Sequence, residues 1–180
     1  CVITSLSYDH TEMLGKTLRE IAGEKAGIVK RGVPVVSAPQ DPEALAVIEE
    51  VCAAREAPLT LLGRDVRWCR GEVSSEAQEV QVEGVAGGRP FEHLLRIPLL
   101  GAHQLENAAA VLTALEWVRI QGHPVPYDGI YLGLAGVEWP GRLERIRESP
   151  QVVVDGAHNT YSAAKLREAV RDYFSYDRLL

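Results

Sequence analysis

The sequence predicts an α/β fold: a parallel sheet flanked by helices, a small antiparallel meander, and then the start of a second strand–helix unit. Three observations predict it. Between residues 2 and 62, short apolar or β-branched runs alternate with helical periodicity, the pattern of strand–helix–strand units. From Arg64 to Pro98 the runs alternate in the period-2 manner of strands and are punctuated by glycines. After Trp139-Pro140-Gly141 the run Val152-Val153-Val154 is again followed by helical spacing.

Taken in order, Val2 to Ser5 reads as a strand, and Thr17 to Ile28 as a helix carrying Leu18, Ile21, Ala22, Lys25 and Ile28 at helical spacing. Val33 to Val36 reads as a buried strand. Asp41-Pro42-Glu43 is a helix entry, with Asp41 as N-cap and Pro42 in the first helical position. That helix is predicted to turn Leu45, Ile48, Val51 and Cys52 inward and to run to about Arg55, with a strand at Leu59 to Leu62. The meander is predicted at Val66 to Cys69, Glu79 to Val82 and Phe91 to Ile97. Helices follow at Gln104 to Ile120 and Tyr127 to Leu134. Pro140 and Gly141 oppose both helix and sheet, which places a boundary there; beyond it Val152 to Val154 is a strand and Ser162 to Phe174 a helix.

With 180 residues, 46% of them hydrophobic and 24% charged, the chain has the composition of a globular protein. The net charge of −6 weighs against nucleic acid as a partner, because phosphate backbones attract clustered cations. No run approaches ~18 apolar residues, so no membrane partner is expected. Cys1, Cys52 and Cys69 show neither a disulfide framework nor zinc spacing, and reduced thiols in a cytoplasmic protein are the simplest reading. The chain begins at Cys1 inside an apparent strand and ends on Arg178-Leu179-Leu180, so it is expected to be a piece of a longer protein.

Five segments carry polar residues that a fold alone explains poorly. Ser7-Tyr8-Asp9-His10-Thr11 follows a strand, where ligands of open α/β sheets gather; His10 suits a metal, and a helix-capping turn is the alternative. Lys25, within Gly23-Glu24-Lys25-Ala26-Gly27, is fifteen residues after His10. Near a metal such a lysine can be chemically modified, and on a solvated helix face it does nothing. In Gly101-Ala102-His103-Gln104-Leu105-Glu106-Asn107 the amides suit a purine edge or a phosphate, or serve as caps. Trp139-Pro140-Gly141-Arg142-Leu143-Glu144 offers an arginine that can reach a phosphate bidentately at a hinge, or a structural hinge only. Asp155-Gly156-Ala157-His158-Asn159 ends an apolar strand, with Asp155 suited to a ribose and His158 to a phosphate or adenine, or forms a turn with Asn159 as cap. Gly15-Lys16-Thr17 imitates the end of the phosphate-loop pattern G-x-x-x-x-G-K-[ST], but His10 stands where the first glycine belongs. Lys16 is therefore expected to open a solvated helix.

In this order and spacing the five strings resemble the folylpolyglutamate and dihydrofolate synthases of the Mur ligase superfamily, over residues 1 to about 175. The resemblance implies that residues 1–140 belong to a central ATP-binding domain of P-loop type and that 141–180 begin a Rossmann-like C-terminal domain. It implies His10 as a Mg²⁺ ligand and Lys25 as a carbamylated catalytic lysine. Asn107, Arg142, Asp155 and His158 are implied as nucleotide contacts, and a monovalent cation is compatible. The implied reaction joins L-glutamate to tetrahydrofolate, dihydropteroate or both, through an acyl phosphate, in a monomer. The family's glycine-rich phosphate loop and a glutamate metal ligand are expected before Cys1, and most of the glutamate-binding part after Leu180, so the 180 residues alone are expected to be inactive. Two other readings stay open: a peptidoglycan-precursor ligase, whose pattern has His-Asn where this chain has His103-Gln104, and a non-catalytic nucleotide-binding remnant. A purely structural α/β domain predicts no clustering of His10, Lys25 and Asn107.

Overall fold

A computed structural model describes residues 1–8 and 11–180. Its first layer is a parallel sheet of β1 (Val2–Ile3), β2 (Val35–Ser37) and β3 (Leu59–Leu61), in that order. Val2 pairs with Val36, and Val36 with Thr60. The connections are helical, as the alternating pattern requires: α1 (Thr11–Leu14) and α2 (Leu18–Ala26) lie between β1 and β2, and α3 (Pro42–Ala54) between β2 and β3. Asp41 caps α3 by accepting from the Glu43 N–H at 3.0 Å, with Pro42 in its first turn. The face α3 buries is Ala44, Val47, Ile48 and Cys52. Ile48 and Cys52 are buried as expected and Val51 packs at the edge of the core, while Leu45 is only half-buried and Ala44 and Val47 take the inward places beside it.

The Gly15-Lys16-Thr17 turn resolves as a cap. Lys16 and Thr17 N–H donate to Glu20 Oε2 at 2.7 and 3.1 Å, and the Glu20 N–H returns to Thr17 Oγ1 at 3.2 Å. This is a capping box. The anion cradled by these amides is thus the protein's own carboxylate, which the Lys16 and then the Thr17 N–H hold below its usual pKa. Gly15 has φ +113°, and a side chain there would collide with Glu20.

The meander is an antiparallel sheet of β4 (Val66–Val73), β5 (Gln78–Ala86) and β6 (Arg89–Ile97). Its strands outrun the expected ones because Gly71 and Gly84 lie inside them. Gly84 pairs with both Val66 and Phe91, and a Cβ there would sit 2.7 Å from the Asp65 carbonyl. Only at this position does the sheet's close approach exclude a side chain outright.

Helix α4 (Ala102–Ile120) lies between the two sheets. A helix covered on two sides loses the one-face pattern of a surface helix. Accordingly Leu105, Ala108, Ala109, Ala110, Leu112 and Thr113 are all buried. They pack with Val80, Val82, Phe91 and Leu95 of the meander and with Val36 of the parallel sheet. Trp117 Nε1 donates to Thr60 Oγ1 at 2.9 Å, fixing α4 on β3.

Helix α5 (Tyr127–Ala135) is held against β6 by a polar cluster. His93 Nδ1 and the Tyr131 hydroxyl lie 2.7 Å apart, His93 Nε2 is 3.7 Å from Glu116 Oε1, and Arg119 stacks 3.8 Å from the Tyr127 ring centroid. Burial pushes the His93 pKa below its ordinary 6.5; Glu116 and Glu92 oppose this and Arg119 adds to it. A base with a depressed native pKa binds fewer protons folded than unfolded, so the stability it contributes is present above about pH 6.5 and is lost as pH falls through the native value. The expected outcome is a thermal midpoint that declines below pH 6.5 and declines less steeply in His93→Gln. An unchanged slope in that variant would remove His93 from the account.

Past the Pro140-Gly141 bend, β7 (Glu144–Glu148) and β8 (Gln151–Val154) form an antiparallel hairpin, followed by α6 (Thr160–Tyr173). Asn159 caps α6 by accepting from the Ser162 N–H at 2.8 Å. The apolar cluster beneath α6 contains Leu143 and Ala169 and also Leu100, which precedes α4. No helix among the described residues is long and apolar enough to cross a membrane.

Candidate functional site

Three of the five polar segments meet where α4 begins. The tip of β1 is aimed there by Gln40, whose Nε2 donates to the Thr4 carbonyl at 3.0 Å while its Oε1 accepts from the Leu6 N–H at 2.9 Å. Ser5 then donates to Glu106 of α4. With His103, Asn107, Tyr161 and Lys165 these residues line a cleft of ≈ 370 Å³ between the first turns of α4 and α6. That volume lies within the usual range for small-molecule sites, about 300–1,000 Å³.

His103 is the hub of the arrangement. Burial depresses its pKa, and the charges it feels are those of Asp155, Lys165, Arg142 and Glu168. Contacts join the three strings nearby: Leu143 of the hinge string packs with Leu100, just before α4, and its N–H donates to Asp155. A neutral imidazole beside a cleft can donate from one nitrogen and accept at the other. Gly101, the α4 N-cap, has φ +111° and no side-chain cap bond; a Cβ there would press on the His103 ring.

Asn107 is exposed on the second turn of α4, its Nδ2 donating to Gln104 Oε1 at 3.0 Å. Arg142 is exposed and lies across Gly156, where any Cβ would overlap its guanidinium. The sequence of the Asp-Gly turn thus makes room for the hinge arginine. Asp155 joins the two strings directly: Oδ2 accepts from the Leu143 N–H at 2.9 Å and Oδ1 from the Ala157 N–H at 2.8 Å. An ionised carboxylate keeps further lone pairs after two such bonds. His158 is exposed, its Nδ1 2.9 Å from the Gly156 carbonyl and its N–H donating to Ser162 Oγ. A second concavity, ≈ 450 Å³, faces the Pro140-Gly141-Arg142 bend between Trp139, Arg145 and Phe174.

Lys25 stands in the last turn of α2, exposed, and does not line the ≈ 370 Å³ cleft. Asp9 and His10 lie outside the described residues, as does the expected convergence of His10 with Lys25. Among the described residues, no group of three or more imidazole, thiol or carboxylate side chains gathers as a metal site. Sequence reasoning missed Ser5, Glu106, Tyr161 and Lys165. The signal for Ser5 was its place at the carboxyl end of a strand. Lys165 gave none, since it reads as an ordinary helix residue. It donates to Glu168 at 3.1 Å and lies 5.8 Å from the Tyr161 ring centroid; the Glu168 bond raises its pKa.

No family model matches the chain. Individual proteins do. It is 39% identical over 179 residues to the dihydrofolate synthase/folylpolyglutamate synthase of Bacillus subtilis, covering 99% of this chain and 41% of that protein. It is 35% identical to the folylpolyglutamate synthase of Lacticaseibacillus casei, covering 97% and 40%. Among solved structures, an FPGS-AMPPCP-folate complex superposes with a TM-score of 0.88 at 34% identity, over 97% of this chain and 42% of that one. The chain is a relative of the folylpolyglutamate and dihydrofolate synthases. A Mycobacterium tuberculosis folylpolyglutamate synthase complexed with ADP and AMPPCP agrees, with a TM-score of 0.83 at 31% identity, over 97% and 39%. The chain spans about two fifths of the length of these synthase relatives. The α/β architecture expected from the sequence is the one they share.

Proposed function

We propose that this chain supplies the nucleotide-facing cleft of an ATP-dependent ligase that joins L-glutamate to a folate. The observation that carries the reading is that α4 and α6 face each other across the cleft while the hinge string packs at the start of α4 through Leu143 and Leu100, with the Leu143 N–H donating to Asp155 and Arg142 lying across Gly156. A carboxylate is a poor electrophile toward an amine, and phosphorylation by ATP to an acyl phosphate makes it a good one. In this reading residues 1–140 form the ATP-binding part and 141–180 open the glutamate-side part, the two meeting across the cleft. Asn107 presents its amide to the nucleotide and Arg142 reaches a phosphate from the hinge. Asp155 holds the Arg142-Leu143 turn against the Gly156-Ala157 turn and keeps lone pairs for a ribose; His158 completes the nucleotide contacts. Lys25, as its carbamate, orients the reacting groups. Closure of α6 on α4 excludes water, protecting the acyl phosphate from hydrolysis. Mg²⁺ would neutralise phosphate charge, with His10 as its ligand from this chain, and the remaining ligands would come from outside the described residues.

Tetrahydrofolate and dihydropteroate are both proposed acceptors, and the 180 residues alone are proposed to be inactive. The test is glutamate-dependent release of phosphate from ATP by the full-length protein, measured with tetrahydrofolate, with dihydropteroate, and with a UDP-linked peptidoglycan precursor. Turnover confined to the UDP-linked substrate would move the protein to another ligase branch. No turnover with any of the three, in a folded protein, would mark a non-catalytic remnant.

A further inference from the structure

Gln78, the first residue of β5, is 1% exposed. The period-2 pattern of the strand puts it inward with Val80 and Val82. An aliphatic side chain there would satisfy the sheet and the core without the cost of burying an amide, which is large unless every polar atom finds a partner. Gln78 finds all of its partners. Nε2 donates to the carbonyls of Leu99 at 2.6 Å and Gly101 at 3.0 Å, and Oε1 accepts from the Tyr173 hydroxyl. Those partners lie on two different parts of the molecule. Leu99 and Gly101 belong to the strap that leads into α4, while Tyr173 ends α6. The Tyr173 ring is also stacked by Arg70 of β4, 4.4 Å from its centroid.

Besides the amide, the strap is held by Leu100, which packs under α6 with Leu143 and Ala169, and its far end at Gly101 is the loose part. Gly101 caps α4 without a side-chain bond and at positive φ, a conformation a glycine leaves easily. Two residues later comes His103, and six later Asn107. The seating of α6 therefore reaches the strap by two routes, the packing of Leu100 and the buried amide, and the amide is the route that bonds Gly101, where α4 begins.

We propose that Gln78 is a positioning residue, which sets the Leu99–Gly101 strap and hence the first turns of α4 according to whether Tyr173 of α6 is docked. The cleft is then shaped for a nucleotide only when the segments before and after the Pro-Gly bend are engaged. This rests on the nucleotide reading of the cleft, but its structural half can be measured independently.

The test compares wild type with Tyr173→Phe, which removes one hydroxyl and no volume, in the full-length protein. Gln78→Leu is the stronger variant, and the double variant completes a cycle. Two readouts are taken: amide hydrogen exchange over residues 101–107, and the KM for ATP beside kcat. In Tyr173→Phe, exchange across 101–107 is expected to quicken and the KM for ATP to rise, each about 3- to 10-fold, the effect of one lost hydrogen bond. The KM for glutamate stays unchanged, and Gln78→Leu masks any further effect of Tyr173→Phe. The proposal is overturned if Tyr173→Phe lowers the thermal midpoint yet leaves exchange at 101–107 as in wild type, since Gln78 then merely staples the core. It is equally overturned if exchange quickens but the KM values for ATP and glutamate rise together. Should Gln78→Leu fail to fold, Tyr173→Phe decides alone. Should the wild type bind no ATP, the nucleotide reading fails, and the exchange result still decides the relay.

Discussion

Lys25→Ala is expected to reduce glutamate-dependent ATP turnover of the full-length protein by roughly 100-fold while shifting its thermal midpoint by no more than about 2 °C. The two halves of this result have separate causes. Helix α2 owes nothing structural to that side chain: it is anchored by the Thr17–Glu20 capping box and by buried Ile21, Ala22 and Ala26, while Lys25 points into solvent. Alanine is also the best helix former, so the replacement does not strain the turn. A carbamate can form only on an uncharged primary amine, so Lys25→Arg keeps the ordinary charge and loses the chemistry. It is expected to be as inactive as the alanine variant. Substantial activity in Lys25→Arg would show that a cation, and not a carbamate, is what position 25 supplies.

Asp155→Ala is expected to lower nucleotide affinity about tenfold and to destabilise the protein by about 2 kcal/mol, read from the midpoint of denaturant unfolding. The carboxylate accepts the Leu143 and Ala157 N–H groups, one from the turn just after the bend and one from the turn that follows β8. Bonds to a charged acceptor are worth more than neutral ones, and partial exposure keeps the sum moderate. Leu143 has φ +48°, an uncommon conformation for a branched side chain, and the Asp155 bond is what holds its N–H in place. Once that bond goes, Arg142 loses its fixed path across Gly156. Asp155→Asn separates the effects, because one oxygen still accepts while the amide nitrogen meets the other N–H as a fellow donor. It should fall between wild type and alanine in both measurements. Wild-type stability and affinity in Asp155→Ala would leave the hinge role without support.

Much of the fold was legible. The strand–helix alternation from Val2 to Leu62 announced a parallel sheet, because each element carried its own periodicity. The charged stretch Glu144-Arg145-Ile146-Arg147-Glu148 did not announce β7, since a hairpin strand with little buried surface has no apolar alternation to read. Glycine punctuation along the chain suggests a break at Gly84, yet it lies within β5 because two neighbouring strands leave no room for a side chain, a fact of packing invisible along the chain. At the site, the motif strings named Arg142 and Asp155, which meet at the Leu143 and Gly156 turns, while His103 lay inside a string whose amides alone drew a reading. The Ser5–Glu106 bond and the reach of Gln78 to residues 99, 101 and 173 join positions far apart in sequence, and periodicity carries no information about them. Whether His10 meets Lys25 lies outside the described residues.

Leu100 precedes the Pro-Gly bend by forty residues but sits in the apolar cluster under α6. The chemical seam of the chain and its greasy seam are therefore in different places. A shortened version ending at Gly141 would strip Leu100 of its cover and leave a sticky spot beside the entrance of α4, so anyone trimming this protein for expression should expect clumping, not a tidy separate module.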